Sequence, residues 1–432
     1  MMTYYDDALP RFAAVVKDAL GDAILNHAFL RDATGRLTFI VLEKLHHDVW
    51  EAIQAGAKKL TPWVDNETPI ATPDDLFDSS LALASSSFPE FLRSIYFTGF
   101  VRVIERRVVG QDWLRAPTST ITSLPPIAVF ASHKGGVGRS TALAISAAAL
   151  SEASYNVLVV DLDVESPGLG TMLLHEAPRF GTLDYFVESA VQKPNFSLLD
   201  DLIGTSRMSN GGLIHVVPAV GVEGQTNPQN VLGKISRAYV EHIGDDGQTV
   251  SFLDRTQAMV RELCARQRYD AVFIDARAGL NEATAAAVLG LGAEVLLFGV
   301  DTPQTFAGYK YLLAHLQRFR PSESSENDWR YRLRMVHAKA QGNPTAQAAF
   351  RTRSFEVFSD TLYDLETGIE PAALNFDYDD PNAPHYAWPI LSDTNYAEFD
   401  AITRKDLFSK HSYDRTFGFF VEALRDKIGL KS

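Results

Sequence analysis

The sequence is poor in several things, and each shortage removes a class of protein. It has a single cysteine, Cys264, in 432 residues, so no disulfide framework can form within the chain. The surroundings, Val260-Arg261-Glu262-Leu263-Cys264, read as a helix with Cys264 as a small buried hydrophobe rather than a nucleophile. Scarce cysteine fits a reducing, cytoplasmic setting. Basic charge is also in short supply. Lysine and arginine total 40 against 54 acidic residues, a formal net charge of −14. A general coat for nucleic acid carries the opposite balance, which leaves nucleic acid possible only through a local patch. No apolar run is long enough to span a bilayer; the longest candidates, such as Ala142 to Leu150, are short and alanine-rich. The start, Met1-Met2-Thr3-Tyr4-Tyr5-Asp6-Asp7, is acidic and lacks the basic-then-apolar order of a signal peptide. The expectation is a cytoplasmic protein with no membrane role. No internal repeat or long low-complexity tract is visible.

The chain is long enough for two cores, and its 46% hydrophobic and 22% charged residues are ordinary for a folded protein. A Ser/Thr/Pro-rich stretch at 116–126 reads as a linker. Before it, residues 1–115 read as a small α+β domain. Helical spacing covers Ala8 to Leu20 and His47 to Lys59. A hairpin is expected from Ala28–Asp32 and Arg36–Leu42, and a second strand pair from Phe100–Glu105 and Arg106–Val109. Arg102, Arg106 and Arg107 read as solvated strand faces, and His46-His47-Asp48 as a helix start rather than a metal site, because adjacent helical residues point apart.

After 126 the pattern changes to short apolar strands alternating with helices. Strands are expected at Ile127–Ser132, Asn156–Asp161, Leu213–Val217, Ala271–Asp275, Glu294–Phe298 and Leu333–His337. Helices are expected at Thr141–Ala153, Gln257–Arg268 and Thr305–Phe319, with a helical insertion at Pro228–His242. Continuous apolar strands are those buried on both faces of a parallel sheet. The fold class is therefore α/β, a doubly wound and mostly parallel sheet over residues 127–345. Such sheets bind ligands beyond the carboxyl ends of their strands. Ser322–Asp328 reads as a polar loop and Asp377–Pro381 as an acidic one. Residues 346–432 read as an extension packed on this domain, its amphipathic end Thr416–Lys431 being too acidic for a membrane-surface helix.

Three motifs fall at strand ends. The first strand runs into His133-Lys134-Gly135-Gly136-Val137-Gly138-Arg139-Ser140-Thr141. Glycines let backbone N–H groups turn toward one phosphate, the following helix adds its positive end, and a hydroxyl at this place can ligate Mg²⁺. The ordinary P-loop has glycine where His133 stands and lysine where Arg139 stands; the Arg139 fork still suits phosphate oxygens. The second motif, Asp161-Leu162-Asp163, ends an apolar strand where phosphates are expected. Alternate residues share a face, so one carboxylate can work near Mg²⁺ while the other positions water. The third, Asp275-Ala276-Arg277-Ala278-Gly279, has the Walker B pattern. Asp275 is expected to hold Mg²⁺ through water, and the Gly279 backbone to approach a γ-phosphate.

In that order the motifs resemble the deviant Walker A ATPases of the ParA, MinD and Mrp class, in a variant with a K-G-G-V-G-R loop. The resemblance covers roughly 127–341. It implies ATP and Mg²⁺ as ligands, bound by Gly135, Gly136, Val137, Gly138, Arg139, Ser140, Thr141 and Gly279. It implies that Lys134 reaches a partner subunit's nucleotide across a sandwich homodimer, that Ser140 and Asp161 belong to the Mg²⁺ shell, and that Asp163 positions water. Pro303 falls where the class also lines the nucleotide. Gln341, two residues after Lys339, stands where related GTPases carry a guanine-reading aspartate, which disfavours guanine. Arg277 is expected either to steady the switch or to form a surface ion pair. The reading is an ATPase switch that signals to a protein partner. The alternatives are an ATP-bound scaffold without turnover, raised by Arg139, and a phosphotransferase, for which no acceptor site is visible.

Overall fold

A computed structural model describes residues 2–83, 86–191, 196–244, 246–319, 321, 328–364, 374–396 and 404–430. The expected polar loop at 322–328 lies, apart from Asp328, outside them. The chain divides into two compact units, Met1–Leu114 and Arg115–Ser432.

The first unit is α+β. Its strands β1 (Ala28–Arg31), β2 (Leu37–Ile40), β3 (Ile70–Ala71), β4 (Phe88–Arg93) and β5 (Thr98–Glu105) form one sheet in the order β3-β2-β1-β5-β4. The expected hairpin is present, with Ala28 opposite Ile40 and Arg31 opposite Leu37. The second expected pair is different: β5 pairs with β4, and 106–109 is not a strand. Val108 and Val109 are exposed there, so they gain nothing from a sheet. Helices α1 (Tyr5–Leu20) and α2 (His47–Ala57) bury Phe12, Val16 and Ile53 with Phe29 and Phe39 of the strands. Phe12, Phe29 and Phe39 meet edge to face or tilted, geometries that aromatic quadrupoles favour.

The second unit is built on an eight-stranded sheet. Its strands are β6 (Ile127–Ser132), β7 (Val157–Asp161), β8 (Gly204–Thr205), β9 (Ile214–Val217), β12 (Ala271–Asp275), β13 (Glu294–Gly299), β14 (Leu333–Ala340) and β15 (Trp388–Leu391), in the order β15-β14-β13-β6-β12-β7-β9-β8. The intervening β10 (His242–Ile243) and β11 (Thr249–Val250) make a separate small ribbon. All neighbours in the large sheet are parallel except the edge strand β8. Strands β6, β7 and β12 are buried at every residue, which is why they read as unbroken apolar runs. After β6 the chain winds first to β7 on one side and later to β13 on the other. The crevice at that reversal, where β6 gives way to helix α3 (Arg139–Glu152), is where such folds take ligands.

The stretch 116–126 is held on this unit: the Thr118 N–H donates to the Leu289 carbonyl at 2.7 Å, and Arg332 donates to the Thr118 carbonyl at 2.7 Å. The C-terminal residues do more than pack on the domain. They supply β15, and the final helix Phe419–Lys427 sends Phe420 and Leu424 into the main core. Phe420 meets Phe130, Phe298 and Trp388. Among the described residues no helix is long and apolar enough to cross a membrane.

Candidate functional site

The loop after β6 owes its shape to two glycines. Gly136 has φ +73° and Gly138, the residue before α3, φ +90°, a left-handed backbone that disfavours any side chain. A Cβ added at Gly135, Gly136 or Gly138 meets nothing within 4 Å. The glycines therefore face open space at the positive end of a 14-residue helix, an arrangement that receives anions. Val137 is buried and anchors the loop, whereas Lys134 is exposed. His133, which replaces the usual glycine, packs its ring over Gly308, where a Cβ would come within 2.2 Å.

Behind the loop lie three carboxylates. Asp161 and Asp275 end the adjacent strands β7 and β12 and stand in register. Asp161 is fully buried, Asp275 is 2% exposed and Asp163 8%. One oxygen of Asp161 accepts the Asp163 N–H at 3.0 Å, and the other accepts the N–H groups of Gly168 at 3.3 Å and Leu169 at 3.2 Å. Burial, then the charge of Asp275, pushes its pKa up to about 7, against the pull of those N–H groups. Burial also raises Asp275, although Arg139 and the Ser140 hydroxyl pull it down. Ser140 Oγ donates to Asp275 at 2.5 Å.

Arg139 is directed differently from the expectation. Its guanidinium lies in the carboxylate group, with Nε on Asp275, Nη2 on Asp163 at 3.2 Å and Nη1 on Ser132 Oγ at 3.3 Å. A side chain 8% exposed cannot leave its charge unpaired, and the nearest negative charges are these aspartates. Burial opposes the guanidinium's charge, but Asp275 and Asp163 more than offset that and raise its pKa.

Gly279 has φ +92°, and its N–H donates to the Ser132 carbonyl at 2.9 Å. Arg277 forms an ion pair with Glu165, so the segment after β12 is tied to the segment after β7. Thr141 is half-buried in the first turn of α3, and Pro303 is exposed at the start of the helix following β13. The structure thus gathers Ser140, Arg139, Asp161, Asp163 and Asp275 in one contact network; Lys134 is exposed and stands outside it. One residue was missed. Lys339, at the end of β14, donates from Nζ to the Gly136 carbonyl at 2.8 Å. In the first unit the arginines have local partners: Arg102 donates to Ser87 at 2.7 Å, Arg106 pairs with Asp78 at 2.7 Å, and Arg107 lies 3.7 Å from Glu105.

The loop and the first carboxylate strand fall within residues 128–207, which match the family described as the CobQ/CobB/MinD/ParA nucleotide binding domain. Over those residues the chain is similar to the ParA/MinD nucleotide-binding domain. No curated protein matches it. Solved structures similar to it include an ATP complex of a Cyanothece McdA variant, 16% identical over 71% of this chain and 98% of that one, TM-score 0.45. Others are a ParA family ATPase from Chlorobium tepidum TLS (17%; 69% and 98%; 0.43) and the MinD cell division protein of Aquifex aeolicus (14%; 70% and 97%; 0.41).

The donor set around the glycine loop fits a Mg²⁺-bound polyphosphate. Three buried carboxyl groups lie around one guanidinium that bonds two of them, beside an open, anion-receiving loop. Among the described residues no group of three or more His, Cys, Asp or Glu is placed to hold a metal alone. Mg²⁺ ordinarily takes one or two carboxylates and completes its shell with water and phosphate oxygens, and Ser140 with Asp275 offers that kind of partial site.

Proposed function

We propose that this chain is an ATP-dependent switch: it binds ATP with Mg²⁺ at the 133–141 loop, closes into a homodimer and signals its state to a protein partner. The observation that carries the reading is the cluster of three buried carboxyl groups beside the open glycine loop. In this reading the loop N–H groups and the start of α3 bind the phosphates. Ser140 and Asp275 hold Mg²⁺, with Asp161 behind them keeping the 163–169 segment in place through its three accepted N–H bonds. Mg²⁺ would neutralise phosphate charge. Asp163 orients water for hydrolysis once Arg139 yields its bond, and exposed Lys134 is available to a second subunit's nucleotide. The Arg277–Glu165 pair links the two segments that would respond to the terminal phosphate.

A second reading, a scaffold that binds ATP without turning it over, is favoured by one observation: Arg139 occupies Asp163, the group expected to position water. Phosphate release and light-scattering mass, measured with ATP and Mg²⁺ on the wild type, Lys134→Ala and Asp163→Ala, separate the readings. The switch predicts turnover by the wild type, an ATP-bound dimer trapped by Asp163→Ala, and neither in Lys134→Ala. Binding without phosphate release or a change of mass would replace the switch with the scaffold.

A further inference from the structure

Lys339 belongs to none of the three motifs, yet it is bonded to the phosphate loop across 203 residues of sequence. The sheet is locally deformed where it leaves. Strand β14 runs in even parallel register with β13 from Leu333 to His337, but its register with β15 shifts between His337 and Ala340. Lys339 sits within that shift at φ +52°, a left-handed backbone that costs free energy for a residue with a β-carbon. Irregularities of this kind turn a side chain away from its strand's regular direction. Here the result is an ammonium on the Gly136 carbonyl.

That carbonyl shares a planar trans peptide with the Val137 N–H, so the two groups point in opposite directions. Fixing the Gly136 oxygen on the Lys339 ammonium therefore fixes the Val137 N–H in the opposite direction, away from that ammonium. The same ammonium leaves a positive charge against the loop, and Arg139 has taken its own charge into the carboxylates. We propose that Lys339 is a positioning residue of the phosphate loop, orienting the Gly136–Val137 peptide for phosphate and supplying charge that Arg139 does not. This rests on the loop being the nucleotide site.

The test is the dissociation constant of a fluorescent N-methylanthraniloyl-ATP, with Mg²⁺, on the full chain, together with the melting temperature free of nucleotide. Lys339 is exposed, so Lys339→Met is expected to leave melting unchanged while weakening binding about tenfold, the order of one charge-assisted hydrogen bond. Lys339→Arg, which keeps the donor and the charge, is expected to recover most of the loss. Wild-type affinity in Lys339→Met overturns the proposal and leaves the nucleotide site standing. Weakened binding that is accompanied by a lowered melting temperature and is not recovered by arginine reduces Lys339 to a structural residue. A wild type that binds no nucleotide removes both the site and the proposal.

Discussion

Arg330 and Arg139 are both buried guanidiniums held by aspartates in the unit 115–432. Arg330 is closed on itself. Its Nε lies 2.9 Å and its Nη2 2.7 Å from Asp328, Nη1 and Nη2 reach Asp364 at 2.9 and 3.1 Å, and Nη1 also meets the Leu362 carbonyl at 3.2 Å. The Leu374 N–H takes a further lone pair of Asp364 at 2.7 Å. Arg139 reaches only two of the three carboxylates around it, and the third, Asp161, answers burial and its neighbour's charge by holding its proton up to about pH 7. Each guanidinium pairs with two carboxylates; the clusters differ in that only the Arg139 cluster has a third buried carboxyl group, Asp161, beside an open glycine loop, the place where the proposed reading puts an arriving counter-ion.

The sharpest way to break the comparison is to remove each arginine. Arg330→Ala strands Asp328 and Asp364 and is expected to cost ~3–5 kcal/mol in urea unfolding, with added Mg²⁺ giving no recovery. Arg139→Gln strands Asp163 and Asp275 and is expected to cost ~2–4 kcal/mol in chelator, of which millimolar Mg²⁺ restores part. Equal behaviour of the two variants toward Mg²⁺ would erase the distinction.

A smaller effect follows from Asp161. Its folded pKa lies above the unfolded value, so the folded state binds more protons and stability falls as pH rises. The loss begins near the ordinary carboxylate pKa of 3.8 and is complete above about 7. In nucleotide-free protein with chelator, Asp161→Asn is expected to melt with a flatter dependence between pH 5 and 7.5 than the wild type. Parallel curves would mean that the burial of Asp161 is not felt. The smallest effect belongs to Arg277 and Glu165, a partly exposed pair worth about 0–1 kcal/mol. Arg277→Ala is therefore expected to leave melting nearly unchanged while slowing ATP turnover; an unchanged rate would reduce the pair to a surface contact.

Most of the site was legible because its parts are local. Glycines, Ser140 and the strand-ending Asp161 and Asp275 each declare a backbone or charge requirement within a few residues. The destination of Arg139 was not, since an arginine fork suits phosphate and carboxylate alike and only the assembled sheet brings Asp163 and Asp275 within its reach. Lys339 was hidden by a register shift that no periodicity announces. In the fold, the two-residue strands β3, β8, β10 and β11 were too short to show a pattern, and two longer strands escaped for another reason. Both β4 and β15 are sheet edges and contain proline, Pro89 and Pro389; an edge tolerates the missing N–H, but proline makes the segment read as a break. Buried strands such as β6, β7 and β12 carry no such ambiguity.

The most direct test of the account is calorimetric titration of ATP into the wild type and Asp275→Asn, each with Mg²⁺ and with chelator. The account predicts that Mg²⁺ tightens ATP binding to the wild type and that Asp275→Asn loses most of this gain while remaining folded. Wild-type binding indifferent to Mg²⁺, or no binding of ATP at all, would contradict the claim that the carboxylates behind the glycine loop await a metal-bound nucleotide.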